Sequence, residues 1–98
     1  MTRGEARIRN TLGLHLRSAG AFVRMASRFK ASIQVSTPEA APVDGKSILG
    51  LATLGATQDT LLRISADGCD EREAVRQLVA LVERGFDEEE AGGSASPP

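Results

Sequence analysis

The chain has no tryptophan, no tyrosine and only three phenylalanines, so its core must be built from aliphatic side chains. Aromatic stacking platforms for single-stranded nucleic acid are therefore missing. A single cysteine, Cys69, cannot close an internal disulfide, which suits a reducing compartment. No run of about 18 apolar residues is present to span a bilayer, and the start lacks the charged-then-apolar pattern of a secretion signal. These absences predict a cytoplasmic protein with no membrane insertion. One histidine, His15, and one distant cysteine do not make a metal ligand set. No glycine-rich nucleotide loop occurs either, for Gly45-Lys46-Ser47 keeps only the end of that motif. No cofactor is expected.

What remains is an ordinary globular composition in 98 residues, 41% hydrophobic and 26% charged, enough for one domain with a modest core. The formal net charge of −1 hides an asymmetry. Residues 1–30 hold Arg3, Arg7, Arg9, Arg17, Arg24, Arg28 and Lys30 against Glu5 alone. The other end reads DEEEAGGSASPP, too poor in apolar surface to fold, and a disordered tail over residues 88–98 is expected after a domain over 1–87. With the four acids of the DEEE run set aside, Asp87 included, nine acids face twelve bases. The folded part is mildly basic, which favours an acidic partner surface or an anionic ligand.

Hydrophobic periodicity orders the elements. Glu5 to Arg9 alternates as a half-buried strand. The loop Asn10 to Leu14 leads to a helix over 16–29, in which Ala19, Phe22, Val23, Ala26 and Phe29 share one side. Arg17, Arg24 and Arg28 fall within about 20° of one line on roughly the opposite side. Ala31 to Val35 reads as a second strand, and Ser36 to Pro42 as a turn region before a short strand around Val43. Ser47 is placed to cap a helix over Ile48 to Leu54. A strand from Thr60 to Ala66 follows, then Asp70 and Glu73 in capping-box spacing. They open a helix that gathers Ala74, Leu78, Leu81 and Val82 and ends near Gly85, with Phe86 folding back. Each strand has one apolar face. The expected architecture is α+β: an open-faced β-sandwich with helices on one side of the sheet.

His15 falls at the mouth of the first helix, where unpaired backbone N–H groups and the helix dipole favour an anion. Arg17 adds a guanidinium fork suited to phosphate oxygens. Both features disfavour an imidazolium and favour a neutral, nucleophilic ring. Such a ring, once phosphorylated, finds its new charge already accommodated. No second histidine or adjacent carboxylate supports hydrolysis by this chain alone. His15 is therefore either a phosphoryl relay or a residue without a chemical role.

Gly13-Leu14-His15-Leu16-Arg17-Ser18-Ala19 resembles the G-L-H-A-R-P-A motif of HPr, the histidine phosphocarrier family of the bacterial phosphotransferase system. Gly45-Lys46-Ser47-Ile48-Leu49-Gly50 is similar to a second block of that family, and Glu73 to Phe86 to its final helix. The resemblance implies four antiparallel strands under three helices, in the order β-α-β-β-α-β-α. It implies that His15 accepts phosphate on its pros nitrogen from Enzyme I, charged by phosphoenolpyruvate, and passes it to an enzyme IIA-type protein. Arg17 then stabilises the phosphate, and Ser18 supplies a donor at the helix N-terminus. Leu16, Arg24, Arg28, Ile48, Leu49 and Leu51 are the expected partner-binding residues of a monomeric carrier that is a kinase substrate and not an enzyme. Ser47 matches the serine that an HPr kinase/phosphorylase modifies in some members, which gives an alternative reading as a regulatory module. Ser18 replaces the family's usual proline and, with Asn10-x-Leu12-Gly13, is similar to branches outside the main sugar pathway, including nitrogen-related ones, while Leu16 is bulkier than the family's usual residue, which bears on partner choice. Nucleic-acid binding by the basic first third has only a modest charge excess behind it and is not expected.

Overall fold

The computed structural model describes residues 1–87; the tail expected over 88–98 lies outside the described residues. Four strands and three helices alternate as β1 (Thr2–Arg7), α1 (Leu16–Ala26), β2 (Ser32–Thr37), β3 (Ala40–Asp44), α2 (Ile48–Ala52), β4 (Leu61–Asp67) and α3 (Glu71–Glu83), closed by a single 3₁₀ turn, Gly85–Asp87. The sheet order is β1-β4-β2-β3 and every neighbouring pair is antiparallel. The last strand is thus inserted between the first two, with Ala6 opposite Leu62 and Val35 opposite Ile64. This is the open-faced α+β sandwich that the alternation of apolar faces predicts.

The core lies between sheet and helices. Ala6, Ile33, Val35, Leu62, Ile64 and Ala66 project from the strands, and Ala19, Phe22, Ala26, Ala74, Leu78, Leu81 and Val82 from the helices, all buried. Close packing of α3 on β1 requires a glycine at position 4. A Cβ there would lie 2.7 Å from a Val75 methyl and 3.0 Å from one of Val79.

Several boundaries differ from the periodicity. β1 starts at Thr2 and ends at Arg7, although Ile8 stays buried and donates its N–H to the Thr60 carbonyl. α1 ends at Ala26, so Arg28 and Phe29 belong to the turn that follows it. The region Ser36 to Pro42 is not all turn: β2 runs to Thr37, β3 begins at Ala40, and only Pro38 and Glu39 connect them. Pro42 is tolerated within β3 because that strand is the edge of the sheet.

The expected capping box of α3 does not form. Asp70 occupies the N-cap position, but its carboxylate accepts the backbone N–H groups of Lys30 (2.8 Å) and Ala31 (2.9 Å) instead. A carboxylate can serve only so many donors, and the amides at the entry to β2 win it from the helix. Glu73 pairs with Arg76 and Gln77 along its own helix. At the other end Gly85 adopts φ +77°, the left-handed turn that ends a helix. Phe86 follows at φ +60°, a conformation that costs a bulky residue about 1–2 kcal/mol, and burial of its ring in the core offsets this.

Candidate functional site

The loop into α1 is fixed before the helix begins. Asn10 is buried, its side-chain amide donates to the Gly13 carbonyl at 2.8 Å, and the Gly13 N–H returns to the Asn10 carbonyl at 3.2 Å. Gly13 takes φ +73°, and a Cβ there would lie 2.5 Å from the Ala56 carbonyl oxygen, so no other residue fits. Leu14 donates to that same carbonyl at 2.9 Å and buries its side chain. The loop is thereby clamped to the segment that follows α2.

His15 then enters as the N-cap of α1, with extended backbone (φ −126°, ψ −172°). Its Nδ1 accepts the backbone N–H of Arg17 at 3.3 Å, so Nδ1 carries a lone pair and no proton in this arrangement. The cap is reciprocal. The Ser18 hydroxyl accepts the His15 N–H at 2.9 Å and, fully buried, donates back to the Gly13 carbonyl at 2.9 Å. Imidazole, helix N-terminus and loop form one hydrogen-bonded unit. Because the Ser18 hydroxyl faces inward, the donor this residue can offer an anion is its backbone N–H.

Leu16 is exposed beside His15. Arg17 and Arg24 of α1 and Arg28 of the turn that follows it line a groove of about 430 Å³ with Ala21 and Met25. Leu81 of α3 and Phe86 of the 3₁₀ turn supply its other wall, and Asp87 its end. None of the three guanidinium groups has a carboxylate partner among the described residues. Sequence periodicity aligned the arginines. It gave no sign of the wall from α3, which packs there only in three dimensions, nor of the buried role of Asn10, beyond its turn-like spacing to Gly13.

Ser47 caps α2: its Oγ accepts the Gly50 N–H at 3.0 Å. The neighbouring Lys46 ammonium donates to the Phe29 carbonyl at 2.8 Å and is turned toward the end of α1. Ile48 and Leu49 are exposed, at 40% and 73%. Leu51, expected among the partner-binding residues, is not available: it is fully buried in the core. α2 is a single short helix packed on α1, so only one stripe of it reaches solvent, and position 51 lies on the other. Among the described residues no cluster of His, Cys, Asp and Glu could hold a metal ion, and no helix is long and apolar enough to cross a membrane.

Fold and site together define a class: a small open-faced α+β protein whose one histidine caps its first helix beside an arginine. Residues 2–84 match the family described as PTS HPr component phosphorylation site. Phosphocarrier protein HPr of Neisseria meningitidis is 41% identical over 90 residues, which span 92% of this chain and all of that protein. Phosphocarrier protein NPr of Proteus mirabilis is 33% identical over 82 residues, 84% of this chain and 91% of that one. The crystal structure of HPr-C-His from Thermoanaerobacter tengcongensis superimposes with a TM-score of 0.83 at 42% identity, over 91% of this chain and 99% of that one. The chain belongs to the HPr family of phosphotransferase-system phosphocarriers.

Proposed function

We propose that this protein is a monomeric cytoplasmic carrier that takes a phosphoryl group on Nδ1 of His15 from phospho-Enzyme I and delivers it to an enzyme IIA-type protein. The observation that carries this reading is the His15 Nδ1 placed at the start of α1, where it accepts the Arg17 N–H. In the acceptor step the Nδ1 lone pair attacks phosphorus, a new N–P bond forms, and the bond from phosphorus to the donor atom of phospho-Enzyme I breaks. The electron pair of that bond stays with the donor atom. The Arg17 N–H, now bound to Nδ1, is released to a phosphoryl oxygen. The helix dipole, the Ser18 backbone N–H and the Arg17 guanidinium stabilise the remaining charge. Transfer onward is the reverse of the same step, which requires stabilisation that is moderate and pre-arranged.

Docking uses Leu16, Ile48 and Leu49 as apolar contacts and Arg24 and Arg28 as the charged rim. Charge steering with a small apolar contact gives the fast, reversible encounters a shuttle needs. Incubation with labelled phosphoenolpyruvate and Enzyme I is expected to give acid-labile phosphate, absent from His15→Ala. Equal labelling of His15→Ala would end the proposal.

A second reading, regulation through Ser47, is favoured by the position of that hydroxyl at a helix N-terminus beside exposed Ile48 and Leu49. A phosphate there meets favourable amides and places negative charge beside the docking residues. An HPr kinase/phosphorylase should then give acid-stable phosphate on the wild type and none on Ser47→Ala.

A further inference from the structure

Asn10 is only 3% exposed, although its neighbours Arg9 and Thr11 lie at the surface. Burying a side-chain amide is costly unless hydrogen bonds replace its water. Its Nδ2 donates to the Gly13 carbonyl at 2.8 Å, and the Ser18 hydroxyl donates to that same oxygen at 2.9 Å. A carbonyl oxygen has two lone pairs, and two side chains fill them. The next atom of that peptide unit is held as well, since the Leu14 N–H reaches the Ala56 carbonyl at 2.9 Å. The Gly13–Leu14 peptide is therefore clamped at both ends, and the residue that follows it is His15.

This clamp supports a weak bond. The Arg17 N–H meets the His15 Nδ1 at 3.3 Å, longer than the usual separation of about 3.0 Å. A bond so long persists because its partners are held in place, and a shift of a few tenths of an ångström in the His15 backbone breaks it. The Ser18 hydroxyl, which accepts the His15 N–H at 2.9 Å, has a second acceptor within reach, the His15 carbonyl at 3.2 Å. Which of the two oxygens it serves depends on how firmly the Gly13 carbonyl is presented to it. Asn10 is the other side chain on that carbonyl.

We infer that Asn10 is a positioning residue for phosphotransfer: it fixes the Gly13–Leu14 peptide and, through the Ser18 hydroxyl, sets where the His15 Nδ1 lies against the Arg17 N–H. It acts without touching a partner, because it is buried. The geometric half, dependence of the His15–Arg17 contact on Asn10, stands on the hydrogen bonds alone. Its kinetic half rests on the function proposed above.

The test uses the full chain and the isosteric Asn10→Asp, whose ionised carboxylate has no proton to give the Gly13 carbonyl. Asn10→Ala removes the donor without adding charge and replaces it should the aspartate variant not fold. Val35→Ala, a large-to-small change in the sheet remote from the loop, controls for destabilisation alone. The Arg17 amide signal should move in the Asn10 variant and its exchange with solvent quicken about fivefold, with neither change in Val35→Ala. Phosphorylation by Enzyme I, at a temperature where every variant is folded, should lose about tenfold in kcat with KM held within about twofold. Val35→Ala should keep the wild-type kcat. An Arg17 signal that is unmoved in the Asn10 variant would overturn the inference, and so would an equal loss of kcat in Val35→Ala. Wild-type protein that takes no phosphate on His15 would instead end the function proposed above, and the Arg17 signal would then decide the positioning by itself.

Discussion

The hydroxyl of Ser18 donates to the carbonyl of Gly13, five residues back, at 2.9 Å, and so ties the helix that His15 caps to the loop that leads into it. The G-L-H-A-R-P-A motif that this stretch resembles has a proline at this position, which has no side-chain donor. The same hydroxyl accepts the N–H of His15. Rigidity that a proline ring supplies through a fixed φ is here supplied by a buried hydrogen-bonded cap.

Ser18→Ala removes the acceptor of the His15 N–H and leaves the Gly13 carbonyl with the Asn10 amide alone. A loss of about 1–2 kcal/mol is expected, measured by urea unfolding. The rate of His15 phosphorylation should fall as well, because the imidazole loses half of its reciprocal cap. Stability unchanged from wild type would contradict the assigned role of the hydroxyl.

Leu49 and Leu51 lie two residues apart and should behave oppositely. Leu51→Ala empties a fully buried site and should cost about 2–5 kcal/mol of stability, with docking affected only through unfolding. Leu49→Ala removes an exposed side chain and should change stability by less than about 0.5 kcal/mol. Its effect should appear instead as a higher KM toward Enzyme I. Denaturant midpoints and steady-state transfer rates separate the two.

Arg24→Glu and Arg28→Glu should slow phosphotransfer from Enzyme I while leaving the unfolding midpoint near that of wild type. Rim charges act mainly on the encounter rate. The salt dependence of transfer should flatten in the double variant. A salt slope equal to wild type's would mean that the acidic partner surface does not meet this helix.

Acid should destabilise the fold through two carboxylates at the start of α3. The Asp70 carboxyl is held below its ordinary 3.8, chiefly by the backbone N–H of Lys30. That of Glu71 falls from 4.5 to about 2, first through the Gly68 N–H, then through Thr2 and the N-terminal ammonium. Groups with depressed folded pKa values contribute stability above their unfolded pKa and lose it as pH falls through the folded one. The melting-temperature deficits of Asp70→Ala and Glu71→Gln should therefore be full at pH 6 and shrink below about pH 4.5, that of Glu71→Gln vanishing near pH 2. A deficit constant over that range would show that neither charge contributes.

Much of this protein was legible in order along the chain. Alternation at Leu62, Ile64 and Ala66 and the helical spacing of Ala19, Phe22 and Ala26 reflect local geometry, since strands repeat every two residues and helices every 3.6. The placement of His15 at a helix mouth followed from the same periodicity, and Ser47 as a cap from its position just ahead of a helix. Leu51 and the ends of β3 were not legible that way. Burial of a residue on a one-turn helix depends on which neighbour that helix packs against, and a proline in a strand is acceptable or not according to whether the strand is at an edge.

The sequence by itself determined that the one imidazole and the Arg17 guanidinium meet at the start of a single helix, because both lie within one turn of it. Only the tertiary structure decided where Asp70 spends its carboxylate and what faces the arginine row across the groove. Those outcomes depend on contacts between segments dozens of residues apart, where competing hydrogen-bond donors and packing surfaces meet only after the sheet has assembled.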